Sequence, residues 1–381
     1  MNAVEQTGTQ DPQRRQPPAG ASAPDQPISI YQVHLASWMR VPEEQNRPLS
    51  GAEIAPKLAA HAGSMQFTHI QIRPIAGLDP QEIGRLIDHL HQRDLGVILE
   101  TSPPLSGVKS ADSNDAGDGL CADGETRLSN YSYQWDRQWV EEISAYFALD
   151  PINRSARQGQ FRNRDRYAFG ANYILPLSHL LVTHPRPSLL AAMPGDVWQK
   201  FANLRLLFAY MFLLPGKKLV FMGNEFGQQN PWQPETSLDW HLLNGGSLHD
   251  QLMHCVANLN RFYRGERALH QTDAWAQGFQ WIDTADADLS VVAFLRRNAD
   301  QNEVLLAVLN FTPVPRHNYR VGAPQGGFWS EVFNSDALEF GGSGQGNLGG
   351  VEASPFGWHF QSHSLMLTLP PLAAIVLRQP T

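Results

Sequence analysis

Between Ile28 and Glu100 the chain alternates strand and helix signals, and that order constrains the fold more than any other feature. ISIYQVHL reads as a strand. Ser50 and Glu53 then form a capping-box pattern ahead of an apolar stripe of Ile54, Leu58 and Met65, which starts a helix. FTHIQIRPI is the next strand, and Asp79, Pro80 and Glu82 open a second helix with Ile83, Leu86, Ile87 and Leu90 on one face. GVILE follows and ends in Glu100. Strand, helix, strand, helix, strand implies right-handed crossovers and a parallel sheet.

The alternation then fails. Residues 101–130 are dominated by Pro, Gly, Ser, Asp and Asn, an unusual length of irregular sequence inside a domain. Strand signals resume at Tyr131 to Trp135, at NYILPLSH and at KLVFMGNEF, with helices around Trp139 to Tyr146, Asp196 to Leu213 and Leu248 to Glu266. Six barrel-type strands are therefore legible between Ile28 and Phe226, where a (β/α)8 barrel needs eight in about 250 residues. The expected α/β fold is an incomplete or rearranged TIM-type barrel over residues 28–277. Beyond it, residues 278–381 carry short apolar runs separated by Asn, Gly, Pro and Asp, the pattern of an antiparallel β-sandwich. Residues 1–27 are rich in Gln, Pro, Ala and Ser with few large apolar side chains, and read as a disordered tail.

Composition narrows the partners. A formal net charge of −8 argues against a nucleic-acid partner, which would need a basic face. No apolar run approaches the roughly 18 residues of a membrane span and no apolar signal core opens the chain, so the expected location is cytoplasmic. Two cysteines, Cys121 and Cys255, fit a reducing compartment. Asp112, Asp115, Asp118 and Asp123 lack the spacing of a calcium loop, and no metal or cofactor is expected.

YQVHLASW, FTHIQIRPI, NYILPLSH, MPGDVWQKFANLR, PGKKLVFMGNEFGQ, SLDWHLL and SLMLTLPPLAAIVL resemble, in order, blocks of the bacterial glycogen branching enzymes, members of glycoside hydrolase family 13 and the α-amylase superfamily. The resemblance covers nearly everything after Ile28. It implies a catalytic barrel followed by a β-sandwich, and an enzyme that cuts α-1,4 glucan and rejoins it as an α-1,6 branch with retention. Retention needs two carboxyl groups about 5 to 5.5 Å apart. In the family the nucleophilic Asp ends the fourth strand and the acid/base Glu ends the fifth, the two strands that are not legible here.

The resemblance also implies losses elsewhere. A third family carboxylate follows the histidine of the seventh strand; here His179 is followed by Leu180 and Leu181, which suggests a filled cleft. The family's Asp and His after the third strand are Glu100 and Leu105. The expected remnant of the site is His179, Glu100 and Glu225, with Trp232 as a glucan-stacking ring or a loop anchor. Three readings follow. The first is a pseudoenzyme that binds α-glucan or associates with an intact enzyme of glycogen metabolism. The second is an enzyme with a non-standard Glu100/Glu225 site. The third is a product of gene decay whose opened barrel exposes strand edges.

Overall fold

The computed structural model describes residues 22–73, 79–100, 119–120, 125–128, 131–166, 168–283 and 289–379. All six legible strands form: β1 (Ser29–Val33), β2 (His69–Ile72), β3 (Gly96–Glu100), β6 (Tyr131–Trp135), β7 (Tyr173–Leu177) and β8 (Lys217–Phe221). Between β3 and β6 lie two short ones, β4 (Gly119–Leu120) and β5 (Glu125–Leu128). The eight close into a barrel in chain order. Strand β4 pairs parallel to β3, with Leu99 opposite Gly119 and Glu100 opposite Leu120. Strand β5 is antiparallel to both β4 and β6, so one stave of the barrel runs backwards. The expected open edges are absent, because a hairpin supplies the hydrogen bonds that two full strands would have made.

The sequence dictates the alternating faces. Ile28, Ile30, Ile98, Leu128, Tyr133, Trp135, Ile174 and Leu219 fill the barrel as one apolar cluster. The neighbours that alternate with them, such as Tyr31, Val33, Ile70, Val97 and Val220, face the surrounding helices. Tyr133 and Trp135 occupy space beside the short staves, and the Trp135 indole donates to Thr126 Oγ1 at 3.1 Å. Gly96 is required where it stands: a Cβ there would lie 2.3 Å from the His69 ring. The floor is tied to the chain ahead of β1. Ser22 is buried, its carbonyl accepts the Tyr133 hydroxyl at 2.7 Å, and Lys217 Nζ donates to the Gln26 carbonyl at 2.8 Å.

Helix α1 (Gly51–Ser64) starts at the Ser50/Glu53 capping box, and α2 (Pro80–His91) at Asp79, which accepts from the Gln81 amide. Helix α3 (Arg137–Phe147) is capped by Asp136, and α4 (Val197–Leu213) by an Asp196/Gln199 box. Helix α4 is buried nearly all round, as expected of a helix wedged between two layers. It separates the barrel from the C-terminal domain, to which Arg205 is tied through the Ser335 carbonyl at 3.0 Å. Helix α5 (Leu248–Gly265) packs on α4.

The C-terminal strands are β9 (Phe279–Asp283), β10 (Val291–Arg297), β11 (Val304–Asn310), β12 (Arg316–Ala323), β13 (Gly327–Asn334), β14 (Gly350–Ala353), β15 (His363–Leu369) and β16 (Ala373–Arg378). Six form a sheet in the order β9-β10-β11-β16-β13-β14, and β12 pairs with β15 in a second. Val291, Leu295, Val321, Trp329 and Leu367 belong to the apolar core these strands share. Among the described residues no helix is long and apolar enough to cross a membrane.

Candidate functional site at the barrel mouth

Strands β1, β2 and β3 place Gln32, Gln71 and Glu100 on the inner face at their C-terminal ends, where the apolar filling stops. Gln32 and Gln71 are fully buried. Gln32 Oε1 accepts the His179 backbone N–H at 3.0 Å and lies 3.1 Å from His179 Nδ1. Because the backbone N–H fixes which amide atom faces it, Nδ1 must carry the proton, and Nε2 keeps its lone pair. Burial, reinforced by the Arg73 charge, pushes the His179 pKa down to about 3, so the ring is neutral.

Gln71 Nε2 donates to Glu100 Oε2 at 3.3 Å, and Arg73 Nη2 stands 3.8 Å from Glu100 Oε1. Burial raises the Glu100 pKa, with Arg73 and Gln71 opposing. The Arg73 guanidinium also lies 5.7 Å from the centre of the Trp232 ring. Trp232 donates from its indole to Ser37 Oγ at 2.9 Å and meets His34 and Phe221 edge-on. These contacts make it a loop anchor, one of the two roles expected of it. Among the described residues three buried atoms here have no hydrogen-bond partner: Gln32 Nε2, Gln71 Oε1 and Arg73 Nη1. Each costs about 1 to 3 kcal/mol if left unmet. Two donors, an amide acceptor and the His179 lone pair thus stand together at the C-terminal ends of the strands, and their chemistry matches a neutral partner that both donates and accepts, as a hydroxyl-rich one does.

Glu225 is not part of this group. Gly223 and Gly227, at φ of 89° and 71°, fold the chain back on either side of the turn Asn224–Phe226. The carboxylate is thereby swung behind the barrel wall, fully buried, where Oε1 accepts the Tyr31 hydroxyl at 2.8 Å and meets His61 Nε2 of α1 at 3.2 Å. Tyr31 is one of the outward-facing residues of β1. The expected pairing of Glu100 with Glu225 therefore does not form. The filled-cleft expectation also needs correction: Leu181 is buried, but Leu180 is 51% exposed and plugs nothing. Leu105 and the four loop aspartates lie outside the described residues. No cluster with metal-ligating composition occurs among the described residues.

The sequence reading passed over Gln32, Gln71 and Arg73, although the signal was present. SIYQV and HIQI each carry an amide at an inner position of a strand that is otherwise buried, and a polar side chain there needs partners.

Comparison with known proteins agrees with this architecture. The family described as "Alpha amylase, C-terminal all-beta domain" matches residues 281–379. Two curated relatives are both called 1,4-alpha-glucan branching enzyme GlgB. The one from Aquifex aeolicus is 37% identical, over 93% of this chain and 77% of its own length. The one from Albidiferax ferrireducens is 34% identical over the same shares. The Aquifex match runs over 484 residues against a chain of 381, so the relative carries more than a hundred residues with no counterpart here. Among solved structures, AmyP in complex with maltose superposes with a TM-score of 0.64 at 11% identity, covering 94% of this chain and 97% of that one. The alpha-amylase from H.orenii gives 0.60 at 14% identity, covering 92% and 99%. At those identities the two structures speak for the fold alone. The extent and identity of the GlgB matches decide the family: the chain belongs to the 1,4-alpha-glucan branching enzymes.

Proposed function

We propose that the chain is a glucan-binding member of this family that does not itself transfer glucosyl units, and that it acts in cytoplasmic α-glucan metabolism. One observation carries the reading. Among the described residues Glu100 is the one carboxyl group on the inner face of a strand at the mouth, where it accepts from Gln71, while Asp136, just beyond β6, caps α3 and Glu225 lies on the other side of the wall. Retaining transfer needs one carboxylate to attack the anomeric carbon and a second to shuttle the proton from the same cavity. With one such carboxyl group among the described residues, neither the covalent intermediate nor its resolution finds its partner there.

What remains is suited to holding sugar hydroxyls. Gln32 and Arg73 donate, Gln71 and the neutral His179 accept, and the Trp232 ring lies beside the Arg73 guanidinium. A bound glucan end would bring the protein to glycogen, alone or beside an intact enzyme. AmyP, a structure of the same fold, is in complex with maltose.

The test is a branching assay on purified protein, read by the shift of the glucan–iodine spectrum and by chain-length analysis, beside native electrophoresis in glycogen-containing gels. Retardation without any change of the iodine spectrum is expected. Turnover that scales with protein and disappears in Glu100→Gln would overturn the non-catalytic reading. It would instead favour the second one, in which Glu100, its pKa raised by burial, donates the proton.

A further inference from the structure

Helix α3 carries Trp139, Ile143 and Tyr146 on one face, an apolar stripe of the kind that usually disappears into a core. Here the packing stops short. That face, with Gln160 and Phe161 of the segment Ser155–Arg166 and Tyr210 of α4, lines a crevice of about 300 Å³. The rings beside it are packed on one another: Tyr146 meets Phe161 edge-on with 4.8 Å between centres, Phe161 meets Tyr210 at 5.3 Å, and Phe311 of the C-terminal domain lies within 6.1 Å of all three. Arg154 ties the same junction together, donating to the Phe311 carbonyl at 3.0 Å, to the Phe147 carbonyl at 3.0 Å and to Asn203 Oδ1 at 2.8 Å. The crevice therefore lies where α3, α4 and the C-terminal domain meet, the kind of junction at which small-molecule sites concentrate.

Three of the lining residues carry polar atoms that the fold leaves unmet. Trp139 and Tyr146 are only 4% and 1% exposed, yet the indole Nε1 and the phenol hydroxyl have no hydrogen-bond partner among the described residues, and neither has Gln160 Oε1. Burial raises the Tyr146 pKa against the opposing Arg154 charge, so the hydroxyl keeps its proton and can donate. A phenylalanine at either ring position would supply the same packing without the desolvation cost. Two buried donors and an acceptor retained at one crevice point to a ligand that meets them.

We infer that this crevice binds a small neutral phenol with a hydrogen-bonding group at each end of its ring. Size comes first: the volume is at the lower end of small-molecule pockets, which fits one ring and its substituents. Trp139 and Tyr146 are seven residues apart on one helix, so their α-carbons are separated by about 10 Å and the two donors serve opposite ends of a ligand. Between those ends the lining is aromatic, and a flat ring meets it edge to face as Phe161 and Tyr210 already meet each other. Glu142, which accepts from Gln138 at 3.0 Å, is the one charged residue of the described lining, so an anion would be repelled, and a cation would offer nothing to the two donors. A glucosyl ring fits poorly, because its hydroxyls run round the whole rim and most would be buried against ring carbons. The site is thus independent of the α-glucan reading.

The test measures binding of para-hydroxybenzamide to the full-length protein by calorimetry and thermal shift, beside para-hydroxybenzoate and toluene. The amide probe accepts at both ends and has N–H groups to give Gln160, whereas the benzoate adds a negative charge and toluene supplies the ring alone. The parent should bind the amide more tightly than either control. Trp139→Phe and Tyr146→Phe each keep a ring and delete one donor, and each is expected to weaken the amide by about tenfold, the scale of one hydrogen bond. Their unliganded Tm should stay level or rise, because an unmet buried donor has gone. No binding by the parent, or equal affinity in the parent and both variants, overturns the site. Toluene bound as tightly as the amide overturns the polar recognition, and so does a lower unliganded Tm in both variants, which would assign the two atoms to buried water.

Discussion

Two sectors of one barrel solve the same closure problem differently. From β6 through β8 and on to β3, six parallel strands are joined by long connections, most carrying a helix, and present their C-terminal ends at one mouth. Between β3 and β6, six strand residues in a hairpin span the same gap. The long sector still positions polar groups at the mouth: Gln32, Gln71, Glu100 and His179. The short sector contributes Thr126 and Leu128 to the interior. The contrast separates two demands usually met together. Closing a barrel needs backbone pairing and interior volume, which a hairpin plus Tyr133 and Trp135 can provide. Catalysis needs particular strand ends.

If the hairpin is a true stave, its apolar residue should matter as much as one in the long sector. Leu128 and Leu219 are both fully buried members of the interior cluster. Leu128→Ala and Leu219→Ala should each cost about 2 to 5 kcal/mol in urea unfolding. A loss at Leu219 with a near-zero loss at Leu128 would break the comparison, because the hairpin would then be an ornament on an open sheet.

The two sectors also differ in how far the sequence discloses them. Strands such as GVILE and KLVFM, between capped helices, can be read directly because apolar runs and caps agree. A strand of two residues, Gly119 and Leu120, carries no periodicity, and Thr126 with Leu128 offers one alternation amid Gly, Asp and Ser. Closure was therefore invisible until the pairing was seen. At the site, His179, Glu100 and Trp232 were legible because strand ends point to a mouth. Glu225 was misplaced for the same reason: the rule assumes the chain continues outward, and the glycine pair at 223 and 227 turns it back.

The long sector should also dominate the response to acid. His69, on the inner face of β2, is buried against Thr68 and Ser22, and burial depresses its pKa to about 4. In the unfolded chain the ring titrates near 6.5, so the stabilising contribution is complete above that value. It is lost as pH falls toward 4, a change on the order of 3 kcal/mol. Unfolding free energies between pH 7 and 4 should fall more steeply for the parent than for His69→Gln. Parallel pH profiles would mean that the ring is already hydrated in the fold.

The smallest effect tests the mouth itself. Burial raises the Glu100 pKa, so at neutral pH its ionised form is held at a cost to the fold, and stability from this group grows as pH falls. Its contact with Arg73, at 3.8 Å, is too long to be a strong ion pair. In Glu100→Gln the charge disappears while Gln71 Nε2 keeps an oxygen to donate to, and Arg73 loses only that long contact. The variant should therefore be slightly more stable at pH 7, by less than about 1 kcal/mol, with the gain shrinking as pH is lowered. A binding mouth kept at the expense of stability would behave in this way. A loss larger than 1 kcal/mol would instead make Glu100 a structural tie between β2 and β3, and the mouth would be a sealed end of the barrel with no carboxyl group to offer a ligand.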